Sequence, residues 1–168
     1  DDAAETILSS KTRDFAAACS SDNVVILLDS IYDAMLEKLK AKGGFIIEGE
    51  NKTRLQNAIW EDGEHINAKV VAQSPEFIAN YAGFDIPEGT AFFIVPETGW
   101  GPDYKFSGEK MTVTMALYRA KDIEDAIRIT NGIQSYQGQG HSCGIYSTSD
   151  ENIMKLAMGT KTSRVMVN

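Results

Sequence analysis

The chain of 168 residues matches one ordinary domain, with 43% hydrophobic and 24% charged residues and four prolines, so a folded core is expected rather than a disordered tail. A formal charge of −8 with no Lys/Arg cluster argues against nucleic-acid binding. The longest apolar runs, Val24 to Leu28 and Ala91 to Val95, fall far short of the roughly 18 residues of a membrane span, and the acidic start "DDAAETILSS" has no secretory signal core. A cytoplasmic setting is the default expectation, with the two cysteines, Cys19 and Cys143, reduced rather than paired.

Taken in chain order, Ala3, Ala4, Ile7 and Leu8 have helical spacing, and "VVILL" (24–28) is a buried strand. Tyr32, Met35, Leu36 and Leu39 then form the apolar stripe of a helix. "GGFIIEG" is a second short strand, followed by a helix carrying Leu55, Ala58 and Ile59 that breaks at Gly63. Ser74 and Pro75 open a helix bearing Phe77, Ile78, Tyr81 and Ala82, since proline suits the first turn. "TAFFIVP" and "MTVTMALYRA" are strands separated by the glycine-rich loop "ETGWGPDYKFSGEK". Asp122 is an N-cap for a helix with Ile123, Ala126, Ile127 and Thr130. "SCGIYS" and "RVMVN" are further strands, with a helix around Ile153 to Met158 between them. Short apolar strands alternating with amphipathic helices predict an α/β fold with a parallel sheet covered on both faces. The helical start and the strand that ends the chain both look unfinished, which predicts a domain cut from a longer polypeptide.

Cys19 stands in "DFAAACSSDN", among small side chains that leave clearance beside the sulfur. A nucleophile needs that space, while a buried cysteine is more often a small hydrophobe in a core. At the C-terminal end of a helix it would meet carbonyl oxygens that oppose a thiolate, so compensating donors would have to come from elsewhere. His141, in "YQGQGHSCGIYS", lies between two glycines and a strand and is either a working imidazole or a satisfied loop residue. A zinc site recruiting Cys19, His65, His141 and Cys143 matches no recognised ligand spacing, so no metal is expected. "GWGPDYKFSG" is followed by a strand rather than a helix N-terminus and is no phosphate loop. Glu109, just ahead of that strand, either faces a ligand or is merely solvated.

The segments "SKTRDFAAACSSDNVVIL", "AKVVAQSPEFIANYAGFDIPEGT", "ETGWGPDYKFSGEKMTVTMALYRA", "GQGHSCGIYS" and "SRVMVN" are similar, in that order, to successive segments of the aldehyde dehydrogenase superfamily. Ser-Lys-Thr before the cysteine, Glu-Lys opening a strand and Gly-His-Ser opening another resemble its coenzyme A-acylating branch. "CSSDN", "ETGWGPDY" and "YQGQGHS" resemble in particular its acylating sulfoacetaldehyde dehydrogenases. The resemblance implies a three-layer catalytic domain spanning 1–168, with a mostly parallel sheet and helices on both faces. It also implies that the nucleotide-binding domain lies outside this sequence and that the isolated piece is inactive.

The same resemblance implies that Cys19 attacks an aldehyde to give a thiohemiacetal. Hydride leaves for NAD or NADP, and the resulting thioester passes to coenzyme A, sulfoacetaldehyde being one candidate substrate. It makes Glu109 the residue that holds the nicotinamide ribose and His141 a helper in thiol deprotonation or acyl transfer. The oxyanion would be held by the Cys19 N–H and by an asparagine outside this chain. The full-length protein would be a homo-oligomer. A hydrolytic aldehyde dehydrogenase and a non-catalytic folding or assembly module are the alternatives. Met111 to Thr114, where the family tends to Leu-Ser-Pro-Val, put the local turn in doubt, and Arg13 and Phe15 replace the usual Phe and Asn ahead of the cysteine.

Overall fold

A computed structural model describes residues 2–168. Helix α1 (Asp2–Thr12) runs into a short 3₁₀ turn over 13–16, and strand β1 (Val24–Leu28) follows the cysteine loop. Then come α2 (Tyr32–Ala41), β2 (Gly44–Ile46), α3 (Gly49–Ile59), α4 (Pro75–Ala82) and β3 (Phe92–Pro96). The chain continues with β4 (Thr114–Ala120), α5 (Ile123–Tyr136), β5 (Ser142–Ile145), α6 (Asp150–Gly159) and β6 (Arg164–Val167).

Four strands form one parallel sheet in the order β1-β4-β3-β2. The chain crosses from one edge to the other through α2, then steps back through α3 and α4. With the right-handed crossover that parallel strands require, opposite directions of travel put α2 on one face and α3 and α4 on the other. Successive residues Phe92, Phe93, Ile94 and Val95 of β3 are all fully buried, as a strand covered on both faces must be. The fold is therefore the α/β architecture with helix-covered parallel strands that the sequence predicts.

One sheet does not hold every strand. β5 and β6 pair with each other, parallel, in a separate two-stranded ribbon. Their residues are only partly buried or exposed, so the ribbon lacks the two apolar faces that would let it join the centre of the main sheet. Both sequence-predicted caps are present: the Ser74 hydroxyl accepts from the Phe77 N–H with Pro75 in the first turn, and the Asp122 carboxylate accepts from the Asp125 N–H at 2.8 Å. No helix among the described residues is long and apolar enough to cross a membrane.

Candidate functional site

Because β1 and β4 are neighbours, with Val24 opposite Ala116, the segments leading into them emerge at the same, N-terminal edge of the sheet. One of those segments carries Cys19 and the other carries Glu109. Residues 85 apart in sequence are thereby joined: the Asn23 side-chain amide donates to the Gly108 carbonyl at 2.8 Å. Open α/β sheets usually place ligands at the C-terminal ends of their strands. This junction lies at the opposite end.

Cys19 is exposed, in a turn closed by the Ser21 N–H on the Ala18 carbonyl at 3.0 Å. It does not share the last turn of α1. That helix stops at Thr12, and the chain reverses through Asp14, Phe15 and Ala16, all with positive φ (47°, 51° and 60°). Three successive non-glycine residues in the left-handed region carry a steric cost, and such strain concentrates where a site must hold a special shape. Two bonds pin the loop back on α1: the Ser21 hydroxyl donates to the Ser10 carbonyl, and the Asp22 N–H donates to the Ser10 hydroxyl, each at 3.0 Å. An exposed sulfur on an anchored turn does not serve as core packing.

Glu109 is half-buried. Its Oε1 accepts the N–H groups of Lys110 (2.8 Å) and Met111 (3.0 Å), while its own N–H donates to the Gln137 side-chain oxygen at 2.8 Å. Among the described residues no hydrogen bond reaches Oε2, so one oxygen fixes the carboxylate and the other remains an open acceptor. The altered Met111 to Thr114 segment resolves into a turn with Met111 at φ 46°, its carbonyl accepting from the Ala72 N–H at 3.1 Å.

Beneath this junction lie two lysines that the sequence reading carried only inside the Ser-Lys-Thr and Glu-Lys motifs, without a role: Lys11 at 1% exposure and Lys110 at 0%. Lys110 Nζ donates to the carbonyls of Phe106 (2.6 Å) and Gly108 (2.8 Å). Burial holds its ammonium well below the ordinary lysine range, and the nearby Lys11 adds to that, against the pull of Glu109 and Glu97. Glu97 is itself buried and paired with Lys52 at 2.9 Å. For Lys11, burial lowers the pKa from 10.5 to about 8, opposed by the carboxylates of Glu109 and Asp22. Burial in turn pushes Asp22 upward, against Ser10 and Lys11.

The sign of the Lys11 effect follows. Below about pH 8 the ammonium is charged in both folded and unfolded chains, and its burial opposes folding. Between about pH 8 and 10.5 the folded chain has released the proton and the unfolded chain still holds it, so this contribution makes stability rise with pH. At about 1.4 kcal/mol per pH unit the full effect is up to ~3 kcal/mol. Lys11→Met is therefore expected to stabilise the chain at pH 7 and to lose that advantage by pH 10.5. Chemical denaturation of both forms at the two pH values measures it, and an equal difference at both would contradict the assignment.

His141 is exposed at the start of β5. Its N–H donates to the Gly138 carbonyl at 2.9 Å, and its own carbonyl accepts from the Ser163 N–H (2.9 Å) and from the hydroxyls of Thr162 and Ser163 (2.7 Å each). No hydrogen bond among the described residues joins its ring to Cys19. The residue that approaches the cysteine loop is Tyr146, just past β5, whose hydroxyl engages Thr6 and feels the Asp22 charge. It lies about 16 Å of extended chain from His141 at roughly 3.3 Å per residue. His65 is paired with Asp62 at 2.8 Å on the exposed surface, and no group of three or more metal-ligating side chains occurs among the described residues. Two shallow depressions, one lined by Glu61, Asp62, His65, Ile66 and Asn67 and the other around Arg54 and Tyr81, include none of Cys19, Glu109 and His141.

No protein-family model matches the chain. It is 37% identical over its entire length to the acylating sulfoacetaldehyde dehydrogenase of Cupriavidus necator, and 34% identical over 99% of its length to the bifunctional aldehyde-alcohol dehydrogenase of Escherichia coli. These matches cover 34% and 19% of the respective relatives, so the chain spans about a third or less of their length. The crystal structure of an acetylating aldehyde dehydrogenase from Geobacillus thermoglucosidasius superposes with a TM-score of 0.94 at 30% identity, covering 98% of this chain and 36% of that one. In sequence and in fold, the chain is similar over its whole length to one segment of acylating aldehyde dehydrogenases.

Proposed function

We propose that this chain is the catalytic domain of a longer, coenzyme A-acylating aldehyde dehydrogenase whose nucleotide-binding domain lies outside residues 1–168. The observation that carries the reading is an exposed thiol on an anchored loop, tethered through Asn23 to the loop that holds Glu109.

In this reading the Cys19 thiolate attacks the aldehyde carbon, forming a C–S bond while the carbonyl π pair moves to oxygen. The Cys19 N–H is available to receive that developing charge, a contribution worth ~10²–10³ in rate when such a donor is well aimed. A nicotinamide dinucleotide, NAD or NADP, supplies the acceptor for the hydride released as the oxyanion collapses. Glu109 suits such a group: two backbone N–H groups fix its Oε1, leaving Oε2 to accept ribose hydroxyls. The thioester left on Cys19 is then attacked by the thiolate of coenzyme A, which takes the acyl group and returns the cysteine as thiolate. His141, exposed and held by its backbone alone, is assigned to proton handling at the thiol or acyl-transfer step. Sulfoacetaldehyde is the proposed aldehyde, supported by 37% identity to the sulfoacetaldehyde dehydrogenases of Cupriavidus necator and Bilophila wadsworthia.

The test is turnover of the full-length polypeptide with sulfoacetaldehyde and NAD or NADP, with and without coenzyme A. Nucleotide reduction that depends on coenzyme A, with sulfoacetyl-coenzyme A as product, is the expected result. Equal reduction without that thiol, releasing a free carboxylic acid, would identify a hydrolytic enzyme instead.

A further inference from the structure

Resting on the reading above, we infer that Asn23 and Lys110 are positioning residues that clamp one carbonyl, that of Gly108, and so hold the nucleophile's loop and the Glu109 loop in one fixed relation. Gly108 O accepts from Asn23 Nδ2 and from Lys110 Nζ, each at 2.8 Å, and the same ammonium reaches the Phe106 carbonyl at 2.6 Å. The third side of the clamp is the end of α5. A Cβ built on Gly108 would stand 2.4 Å from Gln137 Oε1, and that oxygen already accepts the next N–H, of Glu109. The Gly108–Glu109 peptide is thus pinned from the cysteine loop, from beneath and from α5.

A purely structural role explains this arrangement poorly. The Asn23 side-chain oxygen is buried without a hydrogen-bond partner, an unfavourable state accepted so that the amide nitrogen can face Gly108. Lys110 is fully buried, and its Nζ is spent on two backbone carbonyls rather than on an ion pair. Both residues converge on the same atom. What they jointly determine is where Cys19, four residues before Asn23, lies relative to Glu109, one residue after Gly108. Reacting groups held in this way lose rate steeply with displacement, about 10²-fold for an ångström.

The experiment uses the full-length polypeptide as wild type, Asn23→Leu, Lys110→Met and the double variant. Three quantities are read: the rate of acyl transfer from sulfoacetyl-coenzyme A to Cys19 without nucleotide, KM against kcat for the nicotinamide nucleotide, and the thermal midpoint. Expected is a fall in acylation rate of about 10- to 100-fold in each single variant and a raised KM for the nucleotide in Lys110→Met. The double variant should be no slower than the slower single one; thermal midpoints fall where a buried carbonyl loses its donor, so rates are compared at a temperature where every variant is folded. Acylation and nucleotide KM within about twofold of wild type in the folded variants would overturn the inference. Should Lys110→Met not fold, Asn23→Leu decides alone by the same criterion. A wild type that is never acylated at Cys19 removes the functional reading and the clamp with it, whereas an acylated wild type with indifferent variants removes only the clamp.

Discussion

Cys19→Ala in the full-length polypeptide is expected to lower aldehyde oxidation by at least ~10⁴-fold, the scale of loss when a covalent nucleophile is deleted. The same change should barely affect stability, within about 0.5 kcal/mol, because the side chain is exposed and contributes nothing to the core. That separation makes the variant decisive: an inactive but fully folded protein assigns the chemistry to the sulfur. Cys143 provides the contrast. It is half-buried, with Sγ 3.8 Å from the Thr160 hydroxyl, and Cys143→Ala should keep activity within about twofold. Steady-state kinetics beside a thermal melt of each variant checks both statements, and residual activity of Cys19→Ala above about a tenth of wild type would contradict the first.

The largest expected loss of stability comes from Gly43→Ala, where α2 gives way to β2. Gly43 has φ +88°, and a Cβ there would lie 2.8 Å from the Gly89 carbonyl oxygen and 3.0 Å from Ala91 Cβ. The neighbour cannot yield, because the Gly43 carbonyl itself accepts the Ala91 N–H at 2.8 Å and so sets the start of β3 beside β2. A left-handed alanine costs about 1–2 kcal/mol and overpacking about 1–3 more, giving roughly 2–5 kcal/mol in all. Gly83, the C-terminal cap of α4, has φ +77° but nothing within 4 Å of a built Cβ. Gly83→Ala should therefore show only the conformational part, about 1–2 kcal/mol. Urea unfolding of the two variants measures the difference. Equal losses would mean that the close approach at Gly43 does not matter.

Much of this fold is legible in the sequence because its signals are local. The alternation of "VVILL", the Tyr32–Leu39 stripe and "TAFFIVP", and the caps at Ser74 and Asp122, each depend on residues within one element and its flanks. The separation of β5 and β6 from the main sheet depends on partner choice, which a four-residue strand does not encode by itself. The site divides in the same way. Cys19 and Glu109 stand out through the motif resemblance, but their tether through Asn23 exists only because β1 and β4 are neighbours. Lys11, present in the Ser-Lys-Thr motif, drew no role from the sequence because lysine is ordinarily a surface residue. The available signal was its position: Ala4, Ile7 and Lys11 follow the 3- and 4-residue steps of a single helix face, and all three are buried. Lys110 offers less, since its burial follows from the tertiary turn over 106–110 that wraps its ammonium with carbonyls.

The account rests on a thioester carried by a single sulfur, and peptide mass spectrometry reads that directly. The full-length polypeptide is mixed briefly with sulfoacetyl-coenzyme A in the absence of nucleotide, quenched in acid and digested. The predicted result is a sulfoacetyl group on the peptide containing Cys19, discharged by added coenzyme A and missing from Cys19→Ala. An acyl group found on Cys143 instead, or no adduct in a folded wild-type protein, would contradict it.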